Sequence, residues 1–478
     1  MMTFLSVLIL CAWIIFLAWD YKKAVIALPA FFPLYLVKFQ VGFVPFTVIE
    51  GMVYLAVLWV FVKFLKERFY RDEVDLFSRI KRVLWDEGKI WNEVKKSFFK
   101  ILLPSFGLLI GSLAGLYVSH LYGDTISALG IFKGWVLMPM LYGALVIRVL
   151  RSVEDKKATL YFYMLSALVL SVWGIWQVIT GDFITIDGRA SGPFESANYL
   201  ALYIGPCVVL SGVLLWQRAE HYFFGDIDEG WVKTAWLKVK NWFVVEEEEK
   251  RSFLSEVAVY ELVIFFTSLI ALLYSMSYGG IIAVFGGFFL YAVYELFFSS
   301  FRDRYGELWK KIAVFVVIIV IGILAGFSQI GTTKFDDFLA FERQSSSSVR
   351  IQTWTVTKKL IEDEPFLGIG LGRFQKVYEQ EAEEILGVVP YEETMLHPHN
   401  LWFSTWLNAG MIGAIAIPWI FIAVFWTLRN KELDFEKKRL FAVILAMFAV
   451  VGLHGLVDQT FWKNDLALLW WMIIGLVI

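Results

Sequence analysis

The sequence is poor in the side chains that build redox and metal sites. Only two cysteines occur among 478 residues, Cys11 and Cys207, and both lie inside apolar runs. A disulfide would have to bridge two separate helices, so the cysteines predict neither a redox site nor a metal site. Histidine is scarce as well, with five residues in the whole chain. Two histidines close together in a polar segment therefore stand out.

A surplus of charge of one sign is also absent. The net charge is −2 at pH 7, and the lysines and arginines cluster between apolar segments instead of forming the basic face of one domain. This distribution argues against a nucleic-acid partner. Apolar residues, in contrast, are abundant: 59% of the chain is hydrophobic and 18% is aromatic, with a mean hydropathy of +0.65. A soluble globular chain carries less, so the surroundings are predicted to be lipid.

Apolar runs of about 20 residues, the length that crosses a bilayer, recur along the chain. The first begins at Met1 with no basic segment before it and no small-residue cleavage site near its end, which predicts a retained helix and not a signal peptide. A shorter run near 24–40, interrupted by Pro29 and Pro33, is a further candidate span. The pattern predicts an all-α fold, a polytopic transmembrane helical bundle with about 12–13 spans. The longer runs lie near 2–19, 46–65, 101–119, 134–150, 159–180, 194–216, 257–276, 279–299, 312–328, 400–427, 439–458 and 465–478.

Basic residues predict the orientation, because lysine and arginine are enriched in cytoplasmic loops. The basic segment near 66–100 is predicted to face the cytoplasm, and alternation from there places the other strongly basic loops on the same side, including an insert near 217–255. One large extracytoplasmic loop with short helices then remains. The predicted segments are N-terminal transmembrane helices at 1–185, central transmembrane helices at 186–328, the large loop at 329–398 and C-terminal transmembrane helices at 399–478.

Arginines on the predicted outer side depart from this charge bias. Arg189 precedes a predicted helix, and Arg343, Arg350 and Arg373 lie in the large loop. The guanidinium group is a rigid fork of donors that suits phosphate oxygens and stays charged at any accessible pH. Converging arginines therefore predict an anionic lipid headgroup or a pyrophosphate. Pairing with acids of the loop itself, or with Asp187 beside Arg189, is the structural alternative.

The large loop contains two predicted helices with a glycine-rich turn between them. Residues 347–362 have the periodicity of an amphipathic helix, and residues 373–386 form a second, strongly acidic helix whose usual explanation is a solvated face. Between them, Gly368, Gly370 and Gly372 occupy alternating positions. No Lys-Ser or Lys-Thr pair follows and no strand precedes, so a tight turn is predicted in preference to a nucleotide-binding loop.

Two histidines stand in His397-Pro-His-Asn-Leu-Trp, at the predicted start of the long helix that closes the loop. Pro398 suits the first turn of a helix, where its missing N–H needs no partner. The helix dipole disfavours a protonated histidine at this end, which predicts a neutral imidazole that can act as a general base. His454 and Asp458 are predicted to lie four residues apart on one face of the next helix, where they either orient the site or form a structural pair.

Three stretches resemble the O-antigen ligase and O-antigen polymerase superfamily of bacterial envelope proteins. The first is Arg189-Ala-Ser-Gly-Pro-Phe-Glu-Ser-Ala-Asn, which opens a helix. The second runs from Ser348-Val-Arg-Ile-Gln-Thr-Trp to Asp363-Glu-Pro-Phe-Leu-Gly-Ile-Gly-Leu-Gly. The third is His397-Pro-His-Asn-Leu-Trp with Asn408-Ala-Gly-Met-Ile-Gly. The resemblance covers roughly residues 185–478, and the order and spacing of the three stretches exceed chance agreement.

The resemblance implies an O-antigen ligase-like glycosyltransferase of lipopolysaccharide or other envelope polysaccharide biosynthesis. By it, His399 is the catalytic base or an essential group on the acceptor side, and Arg189 and Arg350 bind the pyrophosphate of a polyprenyl-linked glycan, such as one carried on undecaprenyl pyrophosphate. Where the family commonly has Ser-Arg-Gly, this chain has Ser277-Tyr-Gly-Gly, so Tyr278 replaces a candidate phosphate-binding arginine. Either Arg343 or Arg373 supplies that charge, or donor handling differs. The expected supporting residues are His397, Asn400, Asn198, His454, Asp458 and Tyr278.

No cofactor and no metal are expected, because polyprenyl pyrophosphate is already a good leaving group whose developing charge arginines can stabilise. The expected location is the cytoplasmic (inner) membrane, crossed many times, with the active site facing the periplasm or the cell exterior. The acceptor is expected to be a lipid, a glycan or a protein. A polymerase that joins repeat units is the alternative within the class. A transporter or flippase of lipid-linked glycans is the alternative from another class, and it would usually show repeated halves, which we do not find here.

Overall fold

The structure, a computed structural model, describes residues 2–42, 44–70, 101–185, 187–224, 256–297, 346–428 and 435–478. Helices dominate these residues, and the sheet among them is a two-stranded hairpin, so the predicted all-α fold is confirmed. The elements are α1 (Met2–Ala27), β1 (Lys38–Val41), β2 (Val44–Thr47), α2 (Val48–Tyr70), α3 (Leu103–Leu121), α4 (Thr125–Ile131), α5 (Met138–Val149), α6 (Val153–Thr180), α7 (Ala197–Phe224), α8 (Glu256–Tyr274), α9 (Tyr278–Phe297), α10 (Ser346–Asp363), α11 (Phe374–Leu386), α12 (Leu401–Leu428), α13 (Phe435–His454) and α14 (Asn464–Val477).

Within the described residues, eight helical segments are long and apolar enough to cross a membrane, which confirms the polytopic bundle. Two shorter apolar helices accompany them, at Ala258–Tyr274 and Asn464–Val477. The apolar run predicted near 312–328 lies outside the described residues. The total of about 12–13 spans therefore stays a prediction.

The separate span predicted near 24–40 is wrong. The chain leaves α1 as a 3-10 helix, Leu28–Leu36, with Pro29 in its first turn and Pro33 inside it. Proline lacks an N–H and its ring clashes with the preceding turn of an α-helix, so the α-helix cannot continue through this segment. The chain then forms the antiparallel hairpin of β1 and β2 and enters α2.

The chain forms two compact units. Unit 1 comprises Met1–Phe162, Gly331–Asn430 and Gly455–Ile478, and unit 2 comprises Tyr163–Ile330 and Lys431–His454. The four segments predicted from charge and hydropathy describe the order of spans and loops in the membrane, and that division stays a prediction.

Unit 1 is assembled through glycines that let helices approach closely. A side chain at Gly115 of α3 would place its Cβ 1.9 Å from the carbonyl oxygen of Asn408 in α12, and a Cβ at Gly143 of α5 would lie 3.2 Å from Trp471 of α14. Small residues at helix contacts are typical of membrane bundles, where backbones pack directly on one another. The side chains of α14 are almost entirely buried.

Unit 2 is built around α7, whose residues from 200 to 211 are buried throughout. A side chain at Gly212 would meet the rings of Phe265 in α8 and Phe288 in α9. Polar groups inside the unit are satisfied by one another: the Tyr163 hydroxyl donates to the Tyr203 carbonyl oxygen at 2.5 Å. Such pairing is required where no water reaches the backbone.

Helices α10 and α11 pack on each other, and both confirm the helices predicted at 347–362 and 373–386. Val356 and Leu360 of α10 meet Phe374 and Tyr378 of α11 in a buried apolar cluster. Gly387, with φ of +67°, ends α11, as a left-handed glycine commonly does. The acidic residues of α11 lie on its exposed side, in agreement with a solvated face.

The glycine-rich segment between these helices is the predicted tight turn. Gly368, Gly370 and Gly372 have φ values of +68°, +100° and +73°, in the region that favours glycine. The N–H groups of Ile369 and Gly370 both donate to the carbonyl oxygen of Leu407, at 3.0 and 3.2 Å. The turn is thus fastened to α12.

Candidate active site

Helix α12 starts at Leu401, which changes the setting of the two neighbouring histidines. The Asn400 side chain caps the helix, since its Oδ1 accepts a hydrogen bond from the Phe403 N–H at 3.0 Å. Pro398 therefore lies before the helix, and its predicted place in the first helical turn is wrong. Asparagine competes for the first free N–H groups of a helix, which fixes the helix start after the His-Pro-His segment.

Helix α13 ends at His454, so the prediction that His454 and Asp458 share one helix face is wrong. The two residues after the helix bind the start of α12. The Gly455 carbonyl oxygen accepts a hydrogen bond from the Leu401 N–H at 2.7 Å, and the Leu456 carbonyl oxygen accepts one from the Asn400 side-chain amide at 2.8 Å. These contacts draw the chain out of the helix and place Asp458 in the turn before α14.

His399 and Asp458 form a hydrogen-bonded pair within unit 1. The His399 Nδ1 atom lies 3.2 Å from Asp458 Oδ1, and the Asp458 side chain is 2% exposed whereas that of His399 is 23% exposed. Because a carboxylate oxygen accepts, this contact assigns the proton of the neutral His399 ring to Nδ1 and leaves Nε2 with a lone pair. The pair thus presents one basic nitrogen in a fixed tautomer.

Asp458 is itself held in place by buried contacts. The Gln459 N–H donates to Asp458 Oδ1 at 2.8 Å. The Gln459 side chain accepts from Ser404 Oγ at 2.9 Å and donates to the Trp462 carbonyl oxygen at 2.9 Å. These hydrogen bonds hold Asp458 in place, and Asp458 in turn fixes the orientation of the His399 imidazole.

His397 completes the histidine cluster. Its ring centroid lies 4.3 Å from that of His399, and its Nδ1 accepts the His399 backbone N–H at 3.3 Å. Burial of the ring, and after it the closeness of His399, lowers the pKa of His397 to about 3; Lys463 and Arg350 act in the same direction and Asp458 opposes them. His397 is therefore neutral at neutral pH.

Arg350 reaches the same turn from α10. Its Nε donates to the Val457 carbonyl oxygen, next to Asp458, at 3.0 Å, and its Nη1 donates to the Ser346 carbonyl oxygen at 3.4 Å. A cation thus lies beside the histidine and aspartate pair. The predicted residues that unit 1 brings together are Arg350, His397, His399, Asn400 and Asp458.

Arg189 and Asn198 also meet, in unit 2. The Arg189 guanidinium forms an ion pair with Asp187 and lies 3.5 Å from Asn198 Oδ1. The pairing with Asp187 is the structural alternative foreseen from the sequence. The Arg189 side chain is 15% exposed, and a role of Arg189 in binding phosphate stays a prediction.

Arg373 has partners of its own at the start of α11. Its Nε donates to Asp124 Oδ2 at 3.0 Å, its Nη1 donates to the Ile369 carbonyl oxygen at 2.8 Å, and its guanidinium carbon lies 3.7 Å from the centroid of the Tyr122 ring. A phosphate at this guanidinium would have to replace Asp124. A role of Arg373 in binding the donor therefore stays a prediction, and it would require the donor phosphate to displace Asp124.

The remaining predicted residues are placed as follows. Tyr278 is the first residue of α9 and His454 is the last of α13, and both belong to unit 2. Arg343 lies outside the described residues. Their roles stay predictions.

The histidine cluster is also a candidate metal centre. His397, His399 and Asp458 each offer one ligand atom, and these three atoms lie within 4.8 Å of one another. Two imidazoles and a carboxylate are a donor set that zinc accepts. The metal-free site expected from the sequence therefore needs an experimental test.

Two residues near the predicted sites carry no sequence signal. Lys463 acts electrostatically on His397, but it follows an aromatic pair and precedes an apolar helix, as an ordinary interfacial lysine would. Gln177 of α6 holds the loop after Arg189: its Oε1 accepts the Gly192 N–H at 2.8 Å and its Nε2 donates to the Gly192 carbonyl oxygen at 2.7 Å. A glutamine inside an apolar run gives no indication of a partner in a later loop.

The fold is that of an integral membrane protein, and unit 1 carries a cluster of two histidines and an aspartate. The family model described as O-antigen ligase matches residues 263–418, a part that includes Arg350, His397 and His399. The resemblance to the O-antigen ligase superfamily is thereby confirmed for this part of the chain, and it indicates an enzyme of the ligase or glycosyltransferase type. A search of curated proteins finds no match to the chain.

Proposed function

We propose that the protein transfers a glycan from a polyprenyl-pyrophosphate donor to an acceptor on the outer face of the cytoplasmic membrane. The observation that carries this proposal is the pairing of His399 with the buried Asp458, beside Arg350. It combines a basic nitrogen of fixed tautomer with a cation that suits phosphate oxygens.

His399 acts as the general base in this proposal. The acceptor hydroxyl gives its proton to His399 Nε2 as its oxygen bonds to the anomeric carbon of the donor sugar. The bond between that carbon and the pyrophosphate oxygen breaks, and the electron pair leaves with the polyprenyl pyrophosphate. Asp458 stabilises the imidazolium that forms, as a carboxylate does when it accepts from the other ring nitrogen.

Arginines stabilise the leaving group in this proposal. Charge develops on the pyrophosphate as it departs, and fixed cations lower the energy of that transition state. Arg350 is assigned this role because it lies at the turn that carries Asp458, and Arg189 is assigned it from the family resemblance. The mechanism requires no metal.

The outer side is proposed because it leaves the basic segment near 66–100 in the cytoplasm. The acceptor is a lipid, a glycan or a protein. A polymerase that joins repeat units would use the same base and the same donor, with a glycan acceptor, and it remains the second candidate. A flippase of lipid-linked glycans would need no general base, so the His399 pair favours an enzyme.

Glycan transfer in membranes with a defined polyprenyl-pyrophosphate glycan tests the proposal. Native protein, His399→Ala and Arg350→Ala are compared at matched expression, with EDTA present. Both variants should lose transfer, by about 100-fold or more for the base. His120→Ala, which changes an exposed histidine bonded to Thr125, and Lys358→Ala on α10 are the matched controls and should keep full activity.

Four other outcomes are informative. Full activity in both site variants would overturn the site assignment. Absence of transfer by the native chain would favour the flippase. Loss of native transfer in EDTA, with recovery on addition of Zn²⁺, would assign the histidine cluster to a metal. Transfer to repeat units alone would identify the polymerase.

A further inference from the structure

A cavity lies in unit 1, apart from the histidine cluster, which contributes no residue to its lining. It encloses about 580 Å³ between the end of α3, the glycine-rich turn and α11, which is within the range of about 300–1,000 Å³ that small ligands occupy. We call it the turn cavity. Its lining includes Tyr122, Asp363, Glu364, Leu367, Gln380 and Glu381.

The two cations at the turn cavity share one carboxylate. Lys376 Nζ and Arg373 Nε lie 3.1 and 3.0 Å from the carboxylate oxygens of Asp124. Hydrogen bonds from Lys376, and then from Arg373, lower the pKa of Asp124, so this carboxylate stays ionised and bound. A pyrophosphate would have to displace it, and the cavity therefore does not suit an anion.

The other polar side chains of the cavity are mostly acceptors. Glu364, Gln380 and Glu381 are exposed, and within the described part of the chain the Glu364 and Gln380 side chains have no hydrogen-bond partner. Carboxylates accept hydrogen bonds from hydroxyl groups, and an amide both accepts and donates. This set suits a neutral ligand that carries several hydroxyls.

Apolar surface lies beside these acceptors. Tyr122 is 58% exposed and Leu367 is 46% exposed, while the Arg373 guanidinium, 3.7 Å from the Tyr122 ring centroid, holds the ring in place. An aromatic ring of this kind offers an apolar face to a ligand. A sugar ring presents both a hydroxyl edge and a C–H face, so it matches both parts of the cavity.

The glycine-rich turn beside the cavity is fastened to α3 and to α12. The Leu371 N–H donates to the Gly115 carbonyl oxygen at 3.2 Å, and the Ser119 hydroxyl donates to the Leu371 carbonyl oxygen at 3.1 Å. The Gly372 N–H donates to Asn408 Oδ1 at 2.8 Å. A preformed wall costs little ordering on binding, which favours affinity.

We propose that the turn cavity is a binding subsite for one neutral saccharide unit, recognised by Glu364 and Gln380 through its hydroxyls and by Tyr122 through its C–H face. This inference rests on the proposed function, since the saccharide belongs either to the donor glycan or to the acceptor. The subsite positions a glycan and takes no part in the bond-making step.

Binding is tested with the full chain in nanodiscs, with maltotriose and N-acetylchitotriose as probes followed by saturation-transfer NMR. Glu364→Gln and Gln380→Ala should each weaken probe binding about tenfold, the effect of one lost hydrogen bond. Gln375 and Glu379 of α11 are hydrogen-bonded to each other. The Glu379→Gln and Gln375→Ala variants are controls and should bind the probes as the native chain does. Thermal melting confirms that each variant is folded.

Kinetics identify the source of the saccharide. Gln380→Ala should raise the KM for donor or for acceptor about tenfold at unchanged kcat, and the affected substrate carries the bound sugar. A native chain that binds the probes but transfers no glycan would refute the proposed function and leave the subsite standing. Three results would overturn the subsite. The first is normal transfer with no effect of Gln380→Ala. The others are failure of the native chain to bind either probe, and probe binding that requires Ca²⁺.

Discussion

His399 adopts a left-handed backbone conformation, with φ of +50°, which costs an L-residue on the order of 1–3 kcal/mol and is found mainly at functional sites. The surrounding contacts enforce it. Asn400 and Leu401 are fastened to the turn after α13, and Asp458 holds the ring. The imidazole is thereby held immediately before α12, next to the turn that carries Asp458.

The neutral His397 makes the stability of the protein depend on pH. Histidine in an unfolded chain titrates near pH 6.5, whereas the folded pKa of His397 is about 3. Between these values the unfolded state binds more protons, so the free energy of unfolding falls as the pH falls below about 6.5 and is unaffected by this group above it.

The measurement is the Tm of native, His397→Gln and His120→Gln protein in detergent between pH 7.5 and 5. The native protein and His120→Gln should lose stability on acidification more steeply than His397→Gln. Parallel curves for all three would show that His397 is not the responsible group.

Gln177 provides a second prediction at this scale. Its buried side chain makes hydrogen bonds with the Gly192 N–H and C=O and with the Ser191 N–H. Gln177→Leu would leave these groups unsatisfied and should destabilise the protein by about 1–3 kcal/mol, measured by thermal unfolding. Gln375→Leu, at a half-buried position on α11, is the control and should have no such effect; equal Tm values for the two variants would contradict the assignment.

At the scale of elements, sequence periodicity was sufficient to predict the bounds of a helix where residues next to that helix in the sequence end it. Helix α10 ends, and helix α11 begins and ends, within one residue of the predicted bounds, because Pro365 follows α10 and Gly387 follows α11 in the sequence. The end of α13 was missed because the contacts that stop it come from Asn400 and Leu401, far away in the sequence. Hydropathy carries no information on such partners.

Gly410 tests how the glycine-rich turn is fastened to α12. It interrupts α12 with φ of +63°, and a Cβ there would lie 2.2 Å from the Phe366 carbonyl oxygen. Gly410→Ala should destabilise the protein by about 3 kcal/mol or more, because backbone strain and a clash with backbone combine. The measure is thermal unfolding.

Gly123→Ala is the matched control. Gly123 has φ of +81°, and a Cβ there would meet nothing within 4 Å, so backbone strain alone applies, about 1 kcal/mol. Equal destabilisation by the two substitutions would show that the contact with Phe366 does not fasten the turn.

At the scale of the whole molecule, the sequence was sufficient to predict the membrane environment and the family resemblance. The charge bias and the hydrophobic runs are properties of composition, and the three motifs stand in contiguous stretches. The partnership of His399 with Asp458 could not be predicted, because it joins a loop to a turn 59 positions away. The turn cavity was not predicted for the same reason, since Val118, Leu121 and Tyr122, at the end of α3, complete a wall otherwise formed by residues 360–381.

Membrane sidedness is the prediction that belongs to the whole chain. In a Cys11→Ser, Cys207→Ser background, Glu392→Cys should react with a membrane-impermeant maleimide in intact spheroplasts, whereas Arg151→Cys should react only after permeabilisation. Both positions are exposed, so the difference reports the side of the membrane. The reverse pattern would place the candidate site in the cytoplasm and refute the topology.

The central claim is that His399 accepts the acceptor proton and that Asp458 acts through it. The most direct test is the kcat of glycan transfer for native protein, Asp458→Asn, His399→Ala and the double variant. We predict that His399→Ala lowers kcat by about 100-fold or more, that Asp458→Asn also lowers it, and that the double variant is no slower than His399→Ala alone, because the two residues act as one unit. Losses that multiply in the double variant would contradict this account.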